Sequence, residues 1–129
     1  MRGLTLGLIV AALAAPAAAT ESIVCASDDK AASIDVLVGL GLDVVSIARA
    51  TIEAGGKSWA TDAVGEQKIA VGQAFEDSEK LIVDFTDEGD ASIGASLRLF
   101  KATEGANDAT GGTLRIPGVG AWVVACTGP

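Results

Sequence analysis

The chain has 129 residues, nine of them Lys or Arg against seventeen Asp or Glu, a net charge of −8, and no histidine or tyrosine. So acidic a chain is repelled by nucleic acid and by anionic membrane surfaces, both of which are bound through clusters of Lys and Arg. Without histidine the commonest general base and transition-metal ligand is missing.

The first residues, "MRGLTLGLIVAALAAPAAAT", read as a secretory signal. Arg2 supplies the positive n-region, Leu4 to Ala15 the apolar h-region, and Ala17 and Ala19 an A-x-A site, so cleavage is expected after Ala19. The apolar run is shorter than the roughly 20 residues a membrane span requires. Residues 1–19 are thus expected to be removed, leaving residues 20–129 as one exported domain, periplasmic or extracellular, with no membrane span. That domain keeps eight basic and seventeen acidic residues, a net charge of −9.

Two cysteines in an exported protein are expected to pair. Cys25 lies in the first apolar segment, "SIVCA", and Cys126 in the last, "AWVVAC". Their disulfide would close a loop worth up to about 4.7 kcal/mol on the chain-entropy model. It would also set the last strand beside the first. No C-x-x-C points to redox chemistry.

Between these ends, short runs rich in Val, Ile, Thr and Phe alternate with Gly, Asp and Asn clusters, the pattern of strands and turns. "DVVSIARATIEAGG" fits a helix capped by Asp43, but its β-branched content favours a strand over 43–54. "AGGK" at 54–57 then reads as a tight hairpin leading to Trp59. In "KIAVGQAF", Ile69, Val71 and Phe75 share one face. In "KLIVDFT", Leu81, Val83 and Phe85 share a face, with Asp84 and Thr86 on the other. In "ASLRLFKA", Leu97 and Leu99 oppose Arg98 and Phe100. Such alternation marks half-buried strands. "DEGDASI" and "TEGANDATGG" read as longer loops. In "PGVG", Pro117 fixes φ at the first corner of a type II turn and Gly118 supplies the positive φ of the second. Gly120 lets the chain enter the last strand, where Trp122, Val124 and Cys126 share a face. The fold expected is all-β, a small antiparallel β-sandwich of about seven to nine strands, its first and last strands joined by one disulfide.

Motifs for chemistry are missing. G-x-S-x-G does not occur, and "GLGLD" lacks the glycine and helix that phosphate binding requires. No catalytic residue and no cofactor is expected. Carboxylate-pair glycoside chemistry has no visible site. Asp84, Asp87, Glu88 and Asp90 form the densest acidic stretch and are weak calcium candidates, without the order of an EF-hand loop. A solvated loop is the plainer reading.

In general character the chain resembles small exported β-sandwich proteins that bind or inhibit other proteins. The expectation is a non-enzymatic binding module presenting hairpin loops to a protein partner, possible targets including a cationic hydrolase. The candidate interaction residues are Pro117, Gly118, Val119 and Gly120 in one loop, and Glu104, Asn107 and Asp108 in another. The alternatives are an envelope protein that self-associates through a sheet edge or face, and a small-ligand carrier.

Overall fold

The computed structural model describes residues 20–40, 45–87, 89 and 92–128; the expected signal segment lies outside them. Nine strands follow one another: β1 (Thr20–Ala26), β2 (Ala32–Leu40), β3 (Val45–Ala54), β4 (Lys57–Ala60), β5 (Ile69–Glu76), β6 (Lys80–Asp87), β7 (Ile93–Glu104), β8 (Asn107–Ile116) and β9 (Gly120–Thr127). A single 3₁₀ turn at Gly65–Gln67 lies between β4 and β5. The all-β class and the disulfide between first and last strands agree with expectation. The ambiguous segment is a strand from Val45 onward; Asp43, its conceivable helix cap, lies outside the described residues.

The strands form one antiparallel sheet in the order β4-β3-β2-β1-β9-β8-β7-β6-β5. It is one curled sheet that wraps nearly into a barrel, so both walls of the core come from the same surface. β4 and β5 are its two edges, and they meet in one parallel bridge, Ala60 to Lys68. Thr61 prolongs the pairing of β4: its N–H donates to the Ala50 carbonyl at 3.0 Å, and the Ala50 N–H donates to its hydroxyl at 3.1 Å.

Alternate residues of each strand point into the curl. Ile34, Ile52, Ile69, Leu81, Val83, Phe85, Leu97, Leu99, Leu114 and Val124 are all buried there. Trp59, Trp122 and Val119 pack half-buried against this core. Each large side chain so buried contributes roughly 1.5–3 kcal/mol against exposure.

Three strands break their own alternation. Ala48 is an extra residue between Leu37↔Arg49 and Val38↔Ile47, Gly72 between Val71↔Phe85 and Gln73↔Asp84, and Gly94 between Phe85↔Ala95 and Thr86↔Ile93. Each such bulge shifts the inward set by one residue and sharpens the local bend, which a nearly closed sheet requires. In β3 the inward residues are therefore Ile47, then Ala50, Ile52 and Ala54. That broken period is why a helix competed in the sequence. In β5 the bulge at Gly72 overturns the expected face: Ile69 is buried and Val71 half-buried, but Ala74 turns inward and Phe75 is left 51% exposed.

The two phenylalanines on either side of this bulge should therefore behave differently. Phe85→Ala should cost about 3–5 kcal/mol, whereas Phe75→Ser should stay within about 0.5 kcal/mol. Urea denaturation checks both; a large loss at Phe75 would restore the unbroken alternation.

Candidate functional site

The antiparallel path sorts the turns between two ends. The β1–β2, β3–β4 and β8–β9 turns lie at one end, here called upper, and the β5–β6 and β7–β8 turns at the other. β8 runs from one end to the other, ten residues or roughly 30 Å. The two candidate loops are therefore on opposite ends and do not form one patch. The longer loop expected at "TEGANDATGG" is in fact strand on both sides of a two-residue turn at Gly105–Ala106, with Glu104 paired to Asn107. The Thr103 hydroxyl donates to Asp108 at 2.8 Å across it. Glu104, Asn107 and Asp108 are exposed strand-end residues of a tight hairpin.

The upper end is built from turns that brace one another. At the terminal turn the Val119 N–H donates to the Ile116 carbonyl at 2.9 Å, and Gly118 has φ 78°, the type II geometry that Pro117 and Gly118 encode. Pro117 and Gly118 are exposed, while Val119 tucks in beside the β3–β4 turn: a Cβ on Gly55 would lie 3.0 Å from its Cγ1. Val119 thus belongs to the packing of this end, and a charge placed there would act on stability before it acted on any partner. Gly120 serves its neighbour. The Trp122 ring folds back over it, so close that a Cβ at 120 would be 2.8 Å from the ring carbons. Glycine, tryptophan and cysteine share the last strand because the first leaves room for the ring and the last ties the strand to β1.

The β1–β2 turn is bound just as tightly. The Ala31 N–H donates to Asp29 at 3.0 Å and the Ser27 hydroxyl donates to the same oxygen at 2.7 Å. These bonds hold the Asp29 carboxyl below its ordinary pKa, the Ala31 N–H contributing most. Lys30 sits at φ 58°, and the Gly55 N–H donates to the Ala31 carbonyl at 3.4 Å, linking this turn to the next.

Beside these turns the short edge strand β4 lines a groove of about 400 Å³ between its own residues Lys57, Ser58 and Trp59 and the 3₁₀ turn residues Glu66 and Gln67. A second groove of about 350 Å³ lies on the other side of β4, near Lys30 and Glu53. Aromatic, amide and charged groups thus converge along the edge where the sheet is least paired. Nothing in the linear sequence marks Glu66 and Gln67 as neighbours of Trp59. Only the near-meeting of β4 and β5 brings these residues together.

The acidic stretch divides. Asp84 points out of the sheet yet is buried, its oxygens taken by Arg98 Nη1 at 2.8 Å and by the donated Nε2–H of Gln73 at 2.6 Å. Arg98 is the main cause of its pKa lying below the ordinary value, with Gln73 and Ser96 adding to the effect. Asp87 accepts a bond from the Ser92 hydroxyl at 3.2 Å. Glu88 and Asp90 lie outside the described residues. Among the described residues no three metal-ligating side chains cluster. The Asp84–Arg98 pair escaped the sequence because it is diagonal across two strands, Asp84 facing Ser96 and Arg98 facing Ile82; the bulge at Gly72 instead sets Gln73, the second partner, opposite Asp84.

Comparison with known proteins finds no matching family model, no matching curated protein and no matching solved structure.

Asp84 carries a pH signature. A carboxyl held below its unfolded value of about 3.9 adds stability above that pH, and the contribution is lost as pH falls through the folded pKa. Asp84→Asn should therefore cost about 1–2 kcal/mol near pH 7, discounted because Arg98 is partly exposed. The gap to wild type should close toward pH 2. Denaturant midpoints across that range check this; a gap independent of pH would show the carboxyl's charge to be idle.

Proposed function

We propose that this protein is an exported, non-enzymatic binding module that engages a cationic protein partner through its upper end. The observation that carries this reading is the mutual bracing of the Ser27–Ala31, Gly55–Gly56 and Pro117–Val119 turns beside the Trp59 groove. Turns already fixed in shape lose little conformational freedom on binding, which favours affinity without a large interface. Trp59 is an aromatic of the kind that anchors interfaces, flanked by Gln67 and Glu66 for polar contacts. Exposed Asp28, Asp29, Glu53 and Glu66 outnumber Lys30 and Lys57 around it. A negative field of this kind accelerates encounter with a basic protein and selects against acidic ones. The signal-like residues 1–19 and the disulfide support export. Ser27 and Lys30 stand in S-x-x-K order, but the Ser27 hydroxyl donates to Asp29 at 2.7 Å, which supports a structural role and binding over catalysis.

The test uses immobilised, oxidised protein comprising residues 20–129 against envelope and secreted fractions and a panel of cationic cell-wall hydrolases. The double variant Trp59→Ala, Glu66→Lys should lose captured partner at least about tenfold. The lower-end variant Glu104→Lys, Asp108→Lys should retain it. Loss with the lower variant alone, or a capture indifferent to both, would contradict an upper-end site.

A further inference from the structure

We infer that β4 is a strand-addition site: an extended segment of the cationic partner, alternating basic and apolar residues, docks along its open edge through main-chain hydrogen bonds to Ser58. The inference rests on the upper-end site proposed above and names what enters it.

The backbone decides which groups are open. In an antiparallel ladder, residues alternate between those whose N–H and C=O bond the neighbouring strand and those whose groups point away from it. Thr61 bonds toward β3 at Ala50, in register with Ala60 opposite Thr51 and Trp59 opposite Ile52. By that alternation Trp59 and Lys57 also bond toward β3, while Ala60 and Ser58 turn their N–H and C=O to the edge. Ala60 is occupied there, bridged to Lys68 and accepting the Ala63 N–H at 3.4 Å. Ser58 is not: among the described residues neither its N–H nor its C=O has a backbone partner. One donor and one acceptor on a single residue in β geometry match one residue of an antiparallel strand, which returns both bonds.

The two grooves fit such a strand. Gly56, Lys57 and Ser58 line both of them, so a chain laid along β4 sends alternate side chains to either side. The residue opposite Ser58 falls on the outer face, where Ser58 is paired with Glu53 of β3. Its neighbours fall on the face of the half-buried Trp59. Glu53 and Glu66 are exposed, and among the described residues neither enters a salt bridge. Lys30 stands a strand farther off, in the β1–β2 turn. A basic residue opposite Ser58 therefore finds an acid, and apolar residues on either side of it find Trp59. The Gly65–Gln67 turn forms the far wall of the larger groove, so the recess takes one chain and not the sheet edge of a second copy. Copies of so acidic a chain also repel one another.

The probe is an acetylated, amidated heptapeptide alternating Lys and Val, titrated to about 2 mM, the range of a weak contact. Salt at about 0.3 M screens bare charge attraction. Amide exchange of oxidised residues 20–129, followed by NMR, reads the site directly. In the free protein the Ser58 amide should exchange freely and the Trp59 amide slowly. Bound peptide should slow Ser58 at least about tenfold. Methylating the backbone nitrogens of the peptide's lysines, which leaves its charge unchanged, should weaken binding at least about tenfold. So should Ser58→Pro, which removes an outward N–H and spares the β3 ladder, a placement that edge strands tolerate. Circular dichroism checks the fold of that variant; if it fails to fold, the methylated peptide decides. A Ser58 amide already protected in the free protein, or unslowed by the peptide, would overturn the inference, as would a methylated peptide that binds like its parent. The Trp59→Ala, Glu66→Lys variant separates the two claims. Peptide lost by that variant but kept by a folded Ser58→Pro would leave the upper-end site standing and overturn strand addition.

Discussion

The structure depends on the pairing of its first strand with its last. Every other ladder joins strands adjacent in sequence, so β1 to β4 form one antiparallel ribbon and β5 to β9 another. Three residue pairs join the ribbons into a sheet: Val24↔Thr127, Cys25↔Cys126 and Ala26↔Ala125. The middle pair is the disulfide, with Cα atoms 4.0 Å apart. A ladder this short, between residues about a hundred positions apart, carries a large loop-closure cost. The covalent bond removes most of that cost from the folded side by constraining the unfolded chain. At the opposite seam, among the described residues, the two ribbons meet through the Ala60–Lys68 bridge and through side chains packed on the core.

That closure gives each end of the sheet its character. Because β1 and β9 are locked side by side, the β1–β2 and β8–β9 turns stand near each other, and the β3–β4 turn fits against both through Ala31 and Val119. The disulfide lies two residues before the Ser27–Ala31 turn and seven after the Pro117–Val119 turn, so the lock reaches the first turn directly and the second through the length of β9. The seam at β4 and β5, by contrast, is where backbone pairing is thinnest, and there the grooves and Trp59 gather.

Much of this was legible in the chain. Strict alternation in 81–85 and 97–100 named the buried Leu81, Val83, Phe85, Leu97 and Leu99 and the outward Arg98 and Phe100. Pro117 and Gly118 encoded their turn outright. The cysteines announced the closure, because only a first-to-last pairing uses both. Illegible were the bulges at Ala48, Gly72 and Gly94, since an extra residue leaves no mark in composition while shifting every later side chain to the other face. From that one blind spot follows the misplaced Phe75; the Asp84–Arg98 pair was unforeseen because alternation puts both residues on the outer face without saying that their strands are neighbours or in what register. The long loop expected at 103–112 failed differently. Its Gly, Asn, Asp and Thr look like turn residues, but only Gly105 and Ala106 serve as the turn, and the rest gain their strand partners from β7 and β9. The candidate groove was hidden because β4 and Gly65–Gln67 converge only through the curl of the sheet.

The most direct test is hydrogen exchange, with urea denaturation, of the oxidised protein beside a Cys25→Ala, Cys126→Ala variant. If the first-to-last junction holds the two ribbons together, the variant should lose about 2–5 kcal/mol of stability. Protection should fall first at Val24, Ala26, Ala125 and Thr127 and then through the Ser27–Ala31 and Pro117–Val119 turns. A variant that unfolds at the wild-type midpoint with those amides still protected would show that the ribbons are joined by core packing alone, and would contradict the account.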